Sequence, residues 1–253
     1  MINPMDLTGK LVLVTGASSG IGRETAIQCS KLGARVVVVA RREKELRETI
    51  DLMDGNGHAH YTFDLANIDG IEDIVSNLVK ENGPVDGFVH SAGIASTRPI
   101  QMFTHDKVHD LMVVNFYSFM ELIRIISKKK NFNPGLSIVG ISSIASITCQ
   151  SGQTVYSASK AAMNAAIKCL ALELSSKKIR INALIPSMIA TSMWERYKAN
   201  YNRDESYYKT GGSLGVGQPS DVALMAAYLL SDAAKFITRD EIQITGGYHG
   251  QVD

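Results

Sequence analysis

Residues 11–22 read LVLVTGASSGIG: an apolar run, then three glycines at spacings of four and two. Leu11 to Thr15 has the composition of a short strand covered on both faces. Gly16 permits a tight turn after it, and Gly20 lets an anion approach backbone N–H groups. Gly22 allows the following helix to pack closely on a sheet. That helix, beginning at Ile21, turns its unpaired N–H groups towards the anion. The spacing G-x-x-x-G-x-G departs from the GxGxxG fingerprint. Surface turns also collect Gly and Ser, so the trio gains its weight from its strand–turn–helix setting.

The alternation continues along the chain. Apolar runs at 11–15, 35–40, 59–63, 85–90, 136–142, 178–185 and 241–245 read as strands. Between them, 21–32, 43–53, 68–80, 104–129, 154–174 and 220–230 read as helices, with Gly33 and Gly55 where C-terminal stops are wanted. Asn67 is the expected N-cap of the third helix. Strand–helix repetition of this kind predicts an α/β fold: a Rossmann-like doubly wound sheet of about seven parallel strands, with right-handed crossovers and helices on both faces. No linker or fixed-period repeat divides residues 1–253, so one domain is expected. Residues 186–219 break the rhythm. They hold Trp194, Tyr197, Tyr201, Tyr207 and Tyr208 and end in a glycine-rich GGSLGVG, which reads as a substrate lid.

Composition narrows the function classes. The 26 basic and 25 acidic residues leave a formal charge of +1, against a nucleic-acid or anionic-membrane partner. Cys29, Cys149 and Cys169 are widely spaced and odd in number, unlike a disulfide framework or a zinc site. The opening MINPMDLTGK lacks a signal-like apolar run, and no segment approaches ~18 consecutive apolar residues. A cytoplasmic protein without metal is the expectation.

Arg41 and Arg42 follow the second strand, Arg41 standing 19 residues after Gly22. In dinucleotide-binding folds an acidic residue near this point holds the adenosine ribose 2′-hydroxyl, and an arginine instead accepts a 2′-phosphate. Two arginines at a helix start oppose the macrodipole, which a solvated charge pattern alone leaves unexplained. The basic pair therefore favours NADP(H) over NAD(H). Asp64 and Leu65 follow the third strand; Asp64 reads either as a helix-capping residue or as an acceptor for an adenine amino group.

Tyr156 and Lys160, in YSASK, lie four apart on one helix face. A phenol near ~10 is a poor base at neutral pH, and a nearby ammonium lowers its pKa. Such pairs arise by chance on solvated helices. This one gains weight from Ser142 and Ser143, which end the fifth strand and so face the ligand crevice of an open sheet.

Taken together, Gly16, Gly20 and Gly22, Asp64, Ala92-Gly93 in HSAG, Asn115 in VVNF, Ser143 in ISS and the YSASK helix make the chain resemble the short-chain dehydrogenase/reductases. The resemblance runs from TGASSGIG to ITGGYHG, and Ser143 stands the family's 13 residues before Tyr156. It implies a ketoreductase-type oxidoreductase on a carbonyl or secondary-alcohol small molecule. Tyr156 would be the general acid or base and Ser143 the donor polarising the carbonyl oxygen. Lys160 would lower the Tyr156 pKa and hold the nicotinamide ribose, and Asn115 would fix a relay water. Gly16, Ser18, Ser19, Gly20, Ile21, Gly22, Arg41, Arg42, Asp64, Leu65, Ser91, Ala92, Gly93, Pro186, Ile189 and Thr191 would line the cofactor, with Tyr156 and Lys160. A homo-oligomer, tetramer or dimer, is also implied.

Three departures from the family pattern stand out. NNAG is replaced by His90-Ser91-Ala92-Gly93, with His90 read as a buried, satisfied histidine. Pro-Gly becomes Pro186-Ser187, and Asp-Gly-Gly becomes Thr245-Gly246-Gly247. They leave room for an alternative, a catalytically impaired NADP-binding regulator or scaffold of the same fold. His105 and His109, four apart, read as a solvated helix face, and Lys128 to Lys130 as a helix end.

Overall fold

The computed structural model describes residues 3–201 and 214–248. Seven strands among them form one sheet: β1 (Leu11–Thr15), β2 (Arg35–Ala40), β3 (Ala59–Thr62), β4 (Val85–His90), β5 (Phe132–Ile141), β6 (Arg180–Pro186) and β7 (Glu241–Ile244). Their order is β3-β2-β1-β4-β5-β6-β7, and every pairing is parallel. Parallel neighbours require crossovers, which the helices supply: α1 (Gly20–Lys31), α2 (Glu43–Asp51), α3 (Ile71–Asn82), α4 (His105–Met112), α5 (Ser118–Ile126), α6 (Ala145–Thr148), α7 (Thr154–Glu173), α8 (Ser192–Tyr201) and α9 (Pro219–Leu230). The strand order reverses between β1 and β4. Their C-terminal ends diverge into two crossovers and leave the crevice where open α/β sheets bind ligands.

The continuous apolar strands bury both faces. On one face Val12, Val14, Val36 and Val38 pack with Ala26, Val222, Ala226 and Leu230 from α1 and α9. On the other, Leu13, Val37, Phe88 and Ile138 pack with Val75, Phe119, Met163 and Ile167 from α3, α5 and α7. No described helix is long and apolar enough to cross a membrane.

Three expectations need correction. The helix predicted over 104–129 is two helices joined by a π turn, Val113–Tyr117, where the Ser118 hydroxyl bonds back to the Val114 carbonyl. It ends at Ile126, so Lys128 to Lys130 follow it. Strand β5 starts at Phe132, where a register irregularity lets Phe132 pair with Val85 ahead of the regular ladder. Asn67 closes a turn by accepting from Gly70 N–H, and α3 begins only at Ile71. The expected lid over 186–219 contains α8; its residues 202–213, with Tyr207 and Tyr208, lie outside the described residues.

Candidate active site

The glycine-rich turn is built by contact. Gly16 has φ +68°, and a Cβ there would lie 2.6 Å from the Ala92 nitrogen, so the end of β1 and the Ser91-Ala92 backbone touch across the sheet reversal. A Cβ on Gly22 would lie 2.5 Å from the Gly16 carbonyl oxygen, which is how closely α1 approaches the turn. Gly20, at φ +58°, sits under the Thr191 side chain. Arg23, which the sequence reading passed over, braces the turn from below: it donates to the Ser18 carbonyl at 2.8 Å and to the Thr49 hydroxyl at 3.0 Å. That hydroxyl in turn donates to the Ala17 carbonyl.

Arg42 reaches over this turn. One guanidinium nitrogen donates to the hydroxyls of Ser18 and Ser19 at 2.9 and 3.1 Å, and another pairs with Glu45 at 2.9 Å. Glu43 and Glu45 in the first turn of α2 offset the basic pair against the helix dipole. Arg41 faces Asp64 at 3.7 Å, an exposed and well-screened pair. The Asp64 carboxylate also accepts from Ala66 N–H, closing the turn after β3, and Leu65 is buried behind it.

Ser143 lies two residues beyond β5. The neighbouring N–H groups of Ser142 and Ile144 donate to the Leu184 and Pro186 carbonyls, which pins the segment to the end of β6. The Ser143 Oγ accepts from Ala145 N–H at 3.2 Å, and the Ser143 side chain acts on the Tyr156 phenol. Burial raises the phenol pKa above its ordinary value, and the Ser143 hydroxyl pulls it back. The expected lowering by Lys160 is not what sets this phenol: the Lys160 ammonium, 4% exposed, donates to the Ile141 carbonyl at 2.8 Å. Burial brings its pKa down to about 8.

Asn115 sits in the π turn, fully buried. Its amide oxygen accepts from Ile94 N–H at 2.8 Å, and its nitrogen donates to the Ile94 carbonyl and the Ser159 hydroxyl. A Cβ on Gly93 would stand 3.4 Å from both the Asn115 oxygen and the Lys160 nitrogen. Gly93, Asn115 and Lys160 thus form one packed cluster beside the crevice. His90 is fully buried but only half satisfied. Its Nδ1 bonds the Thr15 hydroxyl at 3.1 Å, while Nε2 has no partner among the described residues, which corrects the expectation of a fully satisfied ring.

The crevice is walled on the far side by the segment after β6. Ser187, where the family has glycine, bonds through both N–H and Oγ to the end of β7. Ile189 is buried and pairs with Gly217, and the Thr191 hydroxyl accepts from Trp194 N–H at the start of α8. Between Gly20, Thr191 and Pro219 lies a groove of about 380 Å³. Trp194 stacks on Tyr197 at 5.6 Å, and Gln150 ties Tyr197 to Tyr248 through its two amide ends. His105 and His109 stack on a helix face, and no three His, Cys, Asp or Glu side chains gather as a metal site among the described residues. Cys29 is buried in the core with its thiol pushed up to about 12; Cys149 and Cys169 are exposed.

A family model described as enoyl-(acyl carrier protein) reductase matches residues 16–249. L-xylulose reductase of Caenorhabditis elegans is 31% identical over 248 residues, which is 96% of this chain and 97% of that protein. The chain belongs to the short-chain dehydrogenase/reductase family. Another relative of this reductase, the 3-oxoacyl-[acyl-carrier-protein] reductase FabG of Rickettsia felis, is 36% identical over 96% of this chain and 98% of its own. An actinorhodin polyketide ketoreductase solved with NADPH superimposes with a TM-score of 0.89, 29% identity and 99% and 100% coverage. A Beutenbergia cavernae protein, described as a putative NAD(P)-dependent gluconate 5-dehydrogenase with bound NADP, gives a TM-score of 0.90 at 28% identity, with coverage of 97% and 98%. The chain is thus a ketoreductase-type oxidoreductase in a Rossmann-like fold.

Proposed function

We propose that this reductase is a single-domain NADP(H)-dependent enzyme that reduces a carbonyl on a small molecule to a secondary alcohol. The observation that carries the reading is the Ser143 hydroxyl acting on the Tyr156 phenol, with Lys160 one helical turn along α7. The residues present fit the cofactor: Gly16, Gly20 and Gly22 leave room at the start of α1, and one nitrogen of the Arg42 guanidinium meets the Ser18 and Ser19 hydroxyls while another pairs with Glu45. When bound, the nicotinamide supplies the hydride. Arg42, with Ser18 and Ser19, would hold the 2′-phosphate and Arg41 would add charge; Ile21, Asp64, Leu65, Ser91, Ala92, Pro186, Ile189 and Thr191 would line the rest.

Tyr156 would deliver the proton to the carbonyl oxygen. Its raised pKa keeps the phenol protonated at neutral pH, the form a general acid needs. Ser143, with its oxygen already accepting from Ala145, would turn its hydroxyl proton from the phenol to the same carbonyl and polarise it. Asn115 would hold the loop after β4 against α7, keeping Gly93 beside Lys160. Trp194 and Tyr197 would wall the substrate side, with α8 as part of a lid. Two copies would associate through α7 and the π turn that leads into α5, where Leu172 and Tyr117 stand 57% and 42% exposed.

The test is a panel of ketoses and 3-oxoacyl thioesters with NADPH and NADH as alternative reductants. Turnover with NADPH and its loss in Tyr156→Phe supports the reading. Cofactor binding without turnover on any carbonyl overturns it.

A further inference from the structure

His90 is the place where the chain departs from its family inside the core. Its ring is fully buried, Nδ1 is engaged by Thr15, and Nε2 is left without a partner. An orphaned nitrogen in so dry a place costs stability unless something else uses it. The surroundings narrow what that is. Across the sheet His90 pairs with Thr15 on one side and Gly140 on the other. Since Nδ1 is turned to Thr15, Nε2 points away from β1.

Gly140 places no side chain in the way; a Cβ there would meet Ile167 and Met163 of α7 and Phe119 of α5. The His90 ring lies on this same face, 5.3 Å from the Phe119 ring. Lys160, Met163 and Ile167 form one stripe of α7, Lys160 being the member nearest its N-terminus. Its ammonium meets the carbonyl of Ile141, one residue, or about 3.3 Å, beyond Gly140. The ammonium is thus held one residue beyond the sheet partner of His90, near enough to act on the imidazole by charge. Thr15, Gly140, Phe88 and Phe119 carry no charge, and Lys160 is the charged group that acts on His90. Asn115 from the π turn, which shares the space beside Gly93 with Lys160, carries no charge either.

We propose that His90 is a positioning residue for Lys160: held neutral with its proton on Nδ1, shared with Thr15, it offers the Nε2 lone pair to the ammonium through one water. A neutral acceptor suits this place. It stabilises the charged lysine without a carboxylate that would neutralise it, and the Thr15 bond ties that acceptor to the residue just before Gly16. The inference rests on the reading of Lys160 as a charged partner of substrate and cofactor, but its test does not depend on turnover.

The experiment is NMR on the intact protein. Ring nitrogen shifts of His90 at neutral pH are expected to show a neutral Nδ1–H tautomer, and an Nε2–H or doubly protonated ring overturns the proposal. Titration of Lys160 in His90→Phe, which keeps an aromatic ring but no lone pair, is expected to give a pKa about one unit lower than in the unsubstituted protein. His90→Asn, which restores an acceptor, is expected to recover part of that shift. A Lys160 titration unmoved in a folded His90→Phe also overturns it. Where that variant does not fold, the tautomer of the unsubstituted protein decides alone.

Discussion

The Lys160 ammonium is buried against the Ile141 carbonyl oxygen, 2.8 Å away, at the end of the strand that leads to Ser143. The contact ties the helix bearing Tyr156 to the strand that delivers Ser143. Burial brings the ammonium's pKa from 10.5 to about 8, so it is charged at neutral pH and loses its proton just above it. Carbonyl reduction is therefore expected to fall as pH rises through about 8, and a pH profile of kcat checks it. Lys160→Met is expected to lose on the order of a hundredfold in kcat/KM. Stability moves the other way. Between about 8 and 10.5 the unfolded chain holds this proton and the folded chain does not, so denaturant unfolding should show the Lys160 contribution rising with pH over that window.

Tyr156→Phe removes one oxygen from a site where the Ser143 hydroxyl acts on the phenol. The ring stays, so the helix packing survives. Turnover is expected to drop by about 10² to 10⁴, with cofactor affinity changed only a few-fold. Steady-state kinetics together with a fluorescence titration of NADPH separate the two.

Gly16 has no tolerance for a side chain. Its φ of +68° is unfavourable for other residues, and the Ala92 backbone fills the space a Cβ needs. Gly16→Ala is expected to cost about 1–3 kcal/mol in denaturant unfolding. It is also expected to weaken cofactor binding, because the turn and the Ser91–Gly93 segment must move apart. Gly83→Ala is the comparison: its φ is +95° but nothing lies within 4 Å, so it should lose stability without losing affinity.

Much of this was legible in the chain itself. Val36 to Val39 and Leu11 to Val14 announce strands buried on both faces because their apolar residues do not alternate, and both strands lie where that pattern puts them. The π turn was not legible. Nothing in VVNFY distinguishes it from helix, since Asn115 is tied to Ile94 and Ser159, partners 21 and 44 residues away. Arg23 escaped notice for the same reason: its partners Thr49 and Glu45 belong to the next helix. The Tyr156–Lys160 pair was visible by spacing. Its electrostatics were not, because desolvation depends on what the fold packs around each group.

Arg42 gives the sharpest test of cofactor choice. Its guanidinium donates to the hydroxyls of Ser18 and Ser19, both in the turn that closes on α1, while Glu45 steadies it from the side. A phosphate placed there would accept charge-assisted, bidentate hydrogen bonds that a ribose hydroxyl cannot. Losing one such contact corresponds to roughly ten- to a hundredfold in affinity. Arg42→Ala is expected to weaken NADPH by that factor and leave NADH nearly unchanged. Arg41→Ala is expected to do less, since that side chain is largely solvated and already faces Asp64. Arg42→Asp should go further and reverse the order of preference, because a carboxylate repels the phosphate while accepting from ribose hydroxyls. Binding titrations of both cofactors across the three variants check this. Equal losses for NADPH and NADH would remove Arg42 from the phosphate site and leave it a brace of the turn.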